Sequence, residues 1–129
     1  MRNDPRPDAP LAHLTVLVAE DEFLLALDLE AMLEHLGARV LGPAATTEEA
    51  LRLLDAELPD VALLDVNLKD GWVTPVAELL RSRGIPYALT SAYSAADLVG
   101  IEALSTVPNL GKLIRERDLI AALDLASRR

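Results

Sequence analysis

The sequence predicts a doubly wound α/β domain, a parallel sheet with helices packed on both faces. Three observations predict it. Five short apolar runs alternate with five helical patterns from Leu14 to the C-terminus. The central run, Val61–Leu64, is apolar at every position, as a strand covered on both faces must be. The chain has 129 residues, 51% of them hydrophobic, enough for one ordinary domain with a sizeable core. Strand–helix units in strict alternation make a parallel sheet, because each crossover must be right-handed.

The elements follow in order. Residues 1–12 are rich in Pro and polar residues and lack periodicity; they are expected to form a flexible tail, with the domain spanning 13–129. Leu14–Ala19 is the first strand. A helix over Glu22–Leu36 places Leu25, Leu29, Met32, Leu33 and Leu36 on one face, and Gly37 caps it. Ala38–Leu41 is the second strand, ended by Gly42-Pro43. Thr46 and Glu49 form a capping box for a helix that runs to about Glu57, before Pro59. The third strand lies within Asp60–Asp65. Thr74 as cap and Pro75 in the first turn start the next helix, which Gly84 closes. Pro86–Thr90 is the fourth strand. Ser94 and Asp97 open a fourth helix ending near Leu104. Val107–Leu110 is the fifth strand, and Arg115–Ser127 the last helix, with Leu119, Ile120 and Leu123 inward. With five strands, the expected order is the flavodoxin-like 2-1-3-4-5.

Composition excludes several functions. The absence of cysteine removes disulfide frameworks and thiolate metal sites, and fits a reducing cytoplasm. No apolar run approaches a membrane span, and the N-terminus has no signal-peptide pattern. A net charge of −9 without a dense basic run argues against direct binding of DNA or anionic membranes. His13 and His35 have no metal-ligand spacing.

Ligands of such sheets bind at the carboxyl ends of the strands, beside the switch point. There the sequence places Glu20-Asp21-Glu22 after strand 1, Asp65 after strand 3, Thr90 and Ser91 after strand 4, and Lys112 after strand 5. Each has an ordinary explanation alone. Acidic residues favour the first turn of a helix, and Asp, Ser and Lys are common in loops. Together they suggest chemistry. Clustered carboxylates repel one another, and Mg²⁺ relieves that with oxygen ligands from Asp21, Asp65 and the Asn67 carbonyl. A carboxylate can also take a phosphoryl group, with Lys112 and Ser91 as donors to its oxygens.

This constellation resembles the receiver domain of bacterial two-component response regulators, over about Leu14–Leu125. Val16–Glu22 (Val-Leu-Val-Ala-Glu-Asp-Glu) resembles the family's first strand and acidic pair, and Ala62–Leu68 (Ala-Leu-Leu-Asp-Val-Asn-Leu) its phosphoacceptor segment. The resemblance implies Asp65 as acceptor, Asp21 and the Asn67 carbonyl as metal ligands, and Glu20 as a ligand through water. Ser91 resembles the family's Ser/Thr, because Ala92 and Tyr93 follow it as in many stand-alone members. Lys112 resembles the invariant lysine. A histidine kinase or phosphotransfer protein is then the donor. A downstream protein meets the face of helix 4, strand 5 and helix 5. A stand-alone domain is expected, and a homodimer is compatible with it.

Two departures stand out. Leu113 follows Lys112 where the family has proline with a cis bond. A cis bond before Leu costs about 3 kcal/mol, so a trans bond and a shifted loop are expected. Asn109 stands where the family often has an aromatic switch residue, so the usual coupling of hydroxyl and aromatic is in question, with Tyr93 a candidate for part of it. A receiver that acts as an interaction module without phosphorylation is the alternative. A metal-dependent phosphatase is disfavoured because Asn67 cannot serve as general acid. A flavin or nucleotide binder is disfavoured because the acidic loop after strand 1 repels phosphate.

Overall fold

The computed structural model describes residues 9–94 and 96–127, with nothing said of the side chains of 125–127. Its central sheet is built from β1 (Thr15–Ala19), β2 (Arg39–Ala44), β3 (Val61–Leu64) and β6 (Tyr87–Leu89), in the parallel order β2-β1-β3-β6. The intervening β4 (Asn67–Leu68) and β5 (Gly71–Trp72) form a small antiparallel hairpin after β3. The helices are α1 (Phe23–His35), α2 (Thr47–Ala56), α3 (Thr74–Ser82), α4 (Glu102–Ser105) and α5 (Glu116–Ser127).

Alternation along the strands explains the layers. Val16, Val18, Val61 and Leu63 point to one side and pack with Leu29 and Leu33 of α1 and Leu119 and Leu123 of α5. Leu17, Ala19, Ala62 and Leu64 point to the other and pack with Leu54 of α2 and Val76, Ala77 and Leu80 of α3. All four residues of β3 are fully buried, and each such Val or Leu contributes about 1.5–3 kcal/mol. That burial fixes the position of whatever follows β3.

The expected order holds for the first four sheet positions. The fifth strand is reduced to one parallel bridge, Leu89 to Asn109, held by Leu89 N–H to Pro108 O at 2.8 Å and Leu110 N–H to Leu89 O at 2.7 Å. Pro108 has no N–H to extend the ladder.

Four boundaries differ from expectation. β2 continues through Gly42-Pro43 to Ala44, with a register shift against β1 between Leu17 and Ala19. Gly42 makes this possible: its φ is +103°, and a Cβ there would lie 2.9 Å from Val18 O. Pro43 is tolerated because β2 is an edge strand. The expected fourth helix is broken into a 3₁₀ turn (Ala96–Leu98) and the short α4. Gly100 sits between them at φ +90°, a conformation that ends helices. In α3, Val73 takes the cap position, so Thr74 lies inside the first turn and makes no cap bond. The expected tail is too long at its inner end. Leu11 is fully buried in the α1–α5 core and donates its N–H to Leu36 O at 2.8 Å; residues 1–8 lie outside the described residues.

Half of the capping box is as expected: Thr46 Oγ1 accepts from Glu49 N–H. The Glu49 carboxylate reaches back one residue further than the box requires, to Ala45 N–H. Asp70, from the β4–β5 turn, adds bonds from Thr47 N–H, Thr47 Oγ1–H and Glu48 N–H, which hold its carboxyl below the usual range. The hairpin after β3 is thereby tied to the start of α2.

Candidate functional site

The sheet brings the predicted residues to one end. Ala19 of β1 pairs with Leu64 of β3, so Glu20 and Asp65 leave the sheet side by side. Asp65 N–H donates to Ala19 O at 2.8 Å, and Thr90 N–H donates to Leu64 O at 2.9 Å. Among the described residues, Glu20, Asp65, Thr90 and Ser91 are the buried polar ones.

Lys112 closes the cluster from the opposite segment. Its Nζ lies 2.9 Å from Asp65 Oδ2 and 3.0 Å from Glu20 Oε1. Glu20 Oε2 accepts from Glu22 N–H at 3.0 Å. Burial pushes the Asp65 carboxyl up to about 6; the Lys112 hydrogen bond opposes this and the Glu20 charge reinforces it. Burial pulls the Lys112 ammonium down, but its bonds to Asp65 and Glu20 and their charges outweigh this and hold it above its ordinary value. The lysine is therefore held charged while burial favours the neutral form of the Asp65 carboxyl.

Glu20, Asp21 and Asp65 each offer an oxygen, and these atoms all lie within 4.8 Å of one another. Three carboxylates against one ammonium leave the cleft two charges negative. Hard oxygen donors and that charge suit a divalent cation such as Mg²⁺. Asn67 opens the hairpin two residues after Asp65, with its side chain exposed.

Ser91 is buried, and its hydrogen bonds are to Tyr93 and Asn109 rather than to Lys112. Its Oγ accepts from Tyr93 N–H at 3.0 Å, and its N–H donates to Asn109 Oδ1 at 3.0 Å. Thr90 Oγ1 is buried without a hydrogen-bond partner among the described residues. It lines a cavity of about 510 Å³ with Glu20, Lys112, Leu25, Leu29 and Met32. The Lys112–Leu113 bond is trans, as expected, and Leu113 is 90% exposed.

Sequence reasoning missed two features here. Asn109 is bonded to the loop that carries Ser91, so the position of the expected aromatic is occupied by a polar link. Trp72 of the hairpin also packs against Tyr93, with ring centroids 5.5 Å apart and planes tilted by 41°. Neither contact has a local sequence signal, since each joins residues far apart in the chain.

The fold recurs in known proteins. The transcriptional regulatory protein PdtaR of Mycobacterium tuberculosis is 34% identical over 126 residues, 95% of this chain and 61% of PdtaR. The receiver domain of the PhyR response regulator from Erythrobacter litoralis superposes with a TM-score of 0.76 at 28% identity, covering 90% of this chain and 91% of that domain. The chain is a response regulator receiver domain. An anti-anti-sigma factor PhyR variant from Bartonella quintana superposes with a TM-score of 0.77 at 28% identity, over 93% of this chain and 51% of that protein. No protein-family model matches the chain. The receiver domain thus spans about six-tenths of PdtaR and about half of this PhyR. Among the described residues, no helix is long and apolar enough to cross a membrane.

Proposed function

We propose that this receiver domain accepts a phosphoryl group on Asp65 from a phosphohistidine, in a Mg²⁺-dependent reaction, and signals the change through protein contacts. The observation that carries this reading is the buried Asp65 carboxylate, 2.9 Å from the Lys112 ammonium and grouped with the Glu20 and Asp21 oxygens. An Asp65 oxygen attacks phosphorus in line. The new O–P bond forms as the N–P bond of the donor breaks, and the electron pair returns to the donor's imidazole nitrogen. Asp21, Asp65, the Asn67 carbonyl and, through water, Glu20 would hold Mg²⁺, which when bound would supply positive charge to the phosphoryl oxygens. Lys112 moves from the carboxylates to a phosphoryl oxygen. Ser91 Oγ already accepts from Tyr93 N–H, so its own hydrogen is free to donate to another.

The donor is a histidine kinase or phosphotransfer protein in the cytoplasm. The domain is no turnover enzyme; it catalyses only its own phosphorylation and dephosphorylation. Its downstream target, or a second copy, meets the surface of the broken fourth helix, the Leu110 segment and α5; Val99, between the 3₁₀ turn and α4, is 75% exposed. Movement of the Ser91 loop toward the phosphoryl group biases that surface between two states.

Intact mass after incubation with Mg²⁺ and acetyl phosphate tests this reading beside Asp65→Asn. One added phosphoryl group on the wild type alone supports it. No addition to either protein, whether acetyl phosphate or a panel of phosphorylated kinases is the donor, turns the reading to a phosphorylation-independent interaction module.

A further inference from the structure

We propose that Asn109 is a positioning residue whose carboxamide sets the spacing between Ser91 and Lys112 across Asp65. The inference rests on the phosphoacceptor reading of Asp65. Backbone pairing does little to fix this segment. The sheet's fifth position holds one bridge, Leu89 to Asn109. Leu110 and Ile114 pack against the core on either side, but Leu113, next to Lys112, is 90% exposed.

The Asn109 side chain makes the missing connections. Its Oδ1 accepts from Ser91 N–H at 3.0 Å and from Gly111 N–H at 3.1 Å. Its Nδ2 donates to Tyr93 O at 2.8 Å. A carboxamide offers two acceptor sites and two donors, and three of the four are used here. One oxygen atom therefore joins the residue bearing the proposed phosphoryl-binding hydroxyl to the residue preceding the proposed phosphoryl-binding lysine. The third bond holds the Tyr93 carbonyl, while Ser91 Oγ holds the Tyr93 N–H at 3.0 Å. The result is a closed ring of bonds through Ser91, Tyr93 and Asn109.

The residue type matters. An aliphatic side chain leaves the Ser91 and Gly111 N–H groups to water. Aspartate keeps both acceptor bonds, but loses the donor to Tyr93 and turns a charged oxygen toward that carbonyl. Asn109 is exposed, so water can satisfy the freed groups and a variant keeps the fold. What it loses is the fixed separation of two groups that must meet the same phosphoryl oxygens, and small misplacements in such geometry slow reaction more than they weaken binding.

The test compares Asn109→Ala and Asn109→Asp with the wild type, using acetyl phosphate as donor at saturating Mg²⁺. Calorimetry with Mg²⁺ alone is run on each protein. For Asn109→Ala the limiting phosphorylation rate is expected to fall about threefold to tenfold, the worth of one or two such bonds. Mg²⁺ affinity should stay within about twofold, and Asn109→Asp should recover most of the limiting rate. An Asn109→Ala protein labelled at the wild-type rate overturns the proposal. So does a variant whose melting temperature and Mg²⁺ affinity fall along with its rate, since that marks a merely structural residue. If the wild type itself takes no phosphoryl group, the reading of Asp65 fails first and this inference falls with it.

Discussion

The two halves of the site are held by different forces. Glu20 and Asp65 emerge from β1 and β3, strands paired in continuous register and buried on both faces. Ser91 and Lys112 come from the opposite side, where the fourth helix is broken at Gly100 and the fifth strand is one bridge. There the geometry depends on side chains: Asn109 to Ser91, Tyr93 and Gly111, and Lys112 to Asp65 and Glu20. The difference suggests a division of labour. The proposed acceptor is fixed by the core, and the groups proposed to respond to its charge sit on a frame that can shift at little cost.

Substitutions can break or sharpen that contrast. The largest effect is expected at the acceptor. Asp65→Asn should abolish labelling as read by intact mass, yet melt later than the wild type at neutral pH. A carboxyl at about 6 rather than 3.8, with the Lys112 contact already included, makes its ionisation unfavourable to folding by on the order of 2–3 kcal/mol. In the core beneath it, Leu63→Ala should cost about 2–5 kcal/mol in chemical denaturation. Lys112→Ala should retain Mg²⁺ binding by calorimetry, since it removes a competing cation. Its phosphorylation rate should fall by about 10²-fold, the scale of one lost charge-stabilising group.

The pH dependence follows from the same carboxyl. Between about 3.8 and 6 the folded chain holds a proton on Asp65 that the unfolded chain has released. This contribution therefore raises stability as pH falls through 6, the reverse of a salt-bridged aspartate. Phosphorylation should fall over the same range, because the protonated acid is a poor nucleophile. Urea melts and labelling rates measured from pH 7.5 to 5 should move in opposite directions, and Asp65→Asn should remove its share of the stability change. The smallest effect is expected on the other side of the site. Val99→Ala, in the broken helix, should change stability by no more than about 0.5 kcal/mol.

The same contrast explains what was legible in the sequence. Val61–Leu64 announced a strand covered on both faces, and the carboxyl-end rule then located Glu20, Asp21 and Asp65 together. The capping box at Thr46 and Glu49 was readable because its partners are three residues apart. Elements held by distant partners were not readable. Leu11 looked like part of a tail because its burial depends on Leu36. The helix expected from Ser94 to Leu104 had the right apolar residues, but Gly100 takes a left-handed conformation that divides it. Asn109 was visible only as a missing aromatic, since its role depends on Ser91, Tyr93 and Gly111 meeting it in space.

The most direct test of the account is to locate the phosphoryl group by chemistry. After incubation with Mg²⁺ and acetyl phosphate, borohydride reduces an aspartyl phosphate to homoserine, and peptide mass spectrometry then reads the position. Homoserine at position 65 alone is the predicted result. Homoserine at another aspartate, the corresponding longer alcohol at a glutamate, or a phosphoryl group that resists borohydride on a serine or histidine, would contradict it.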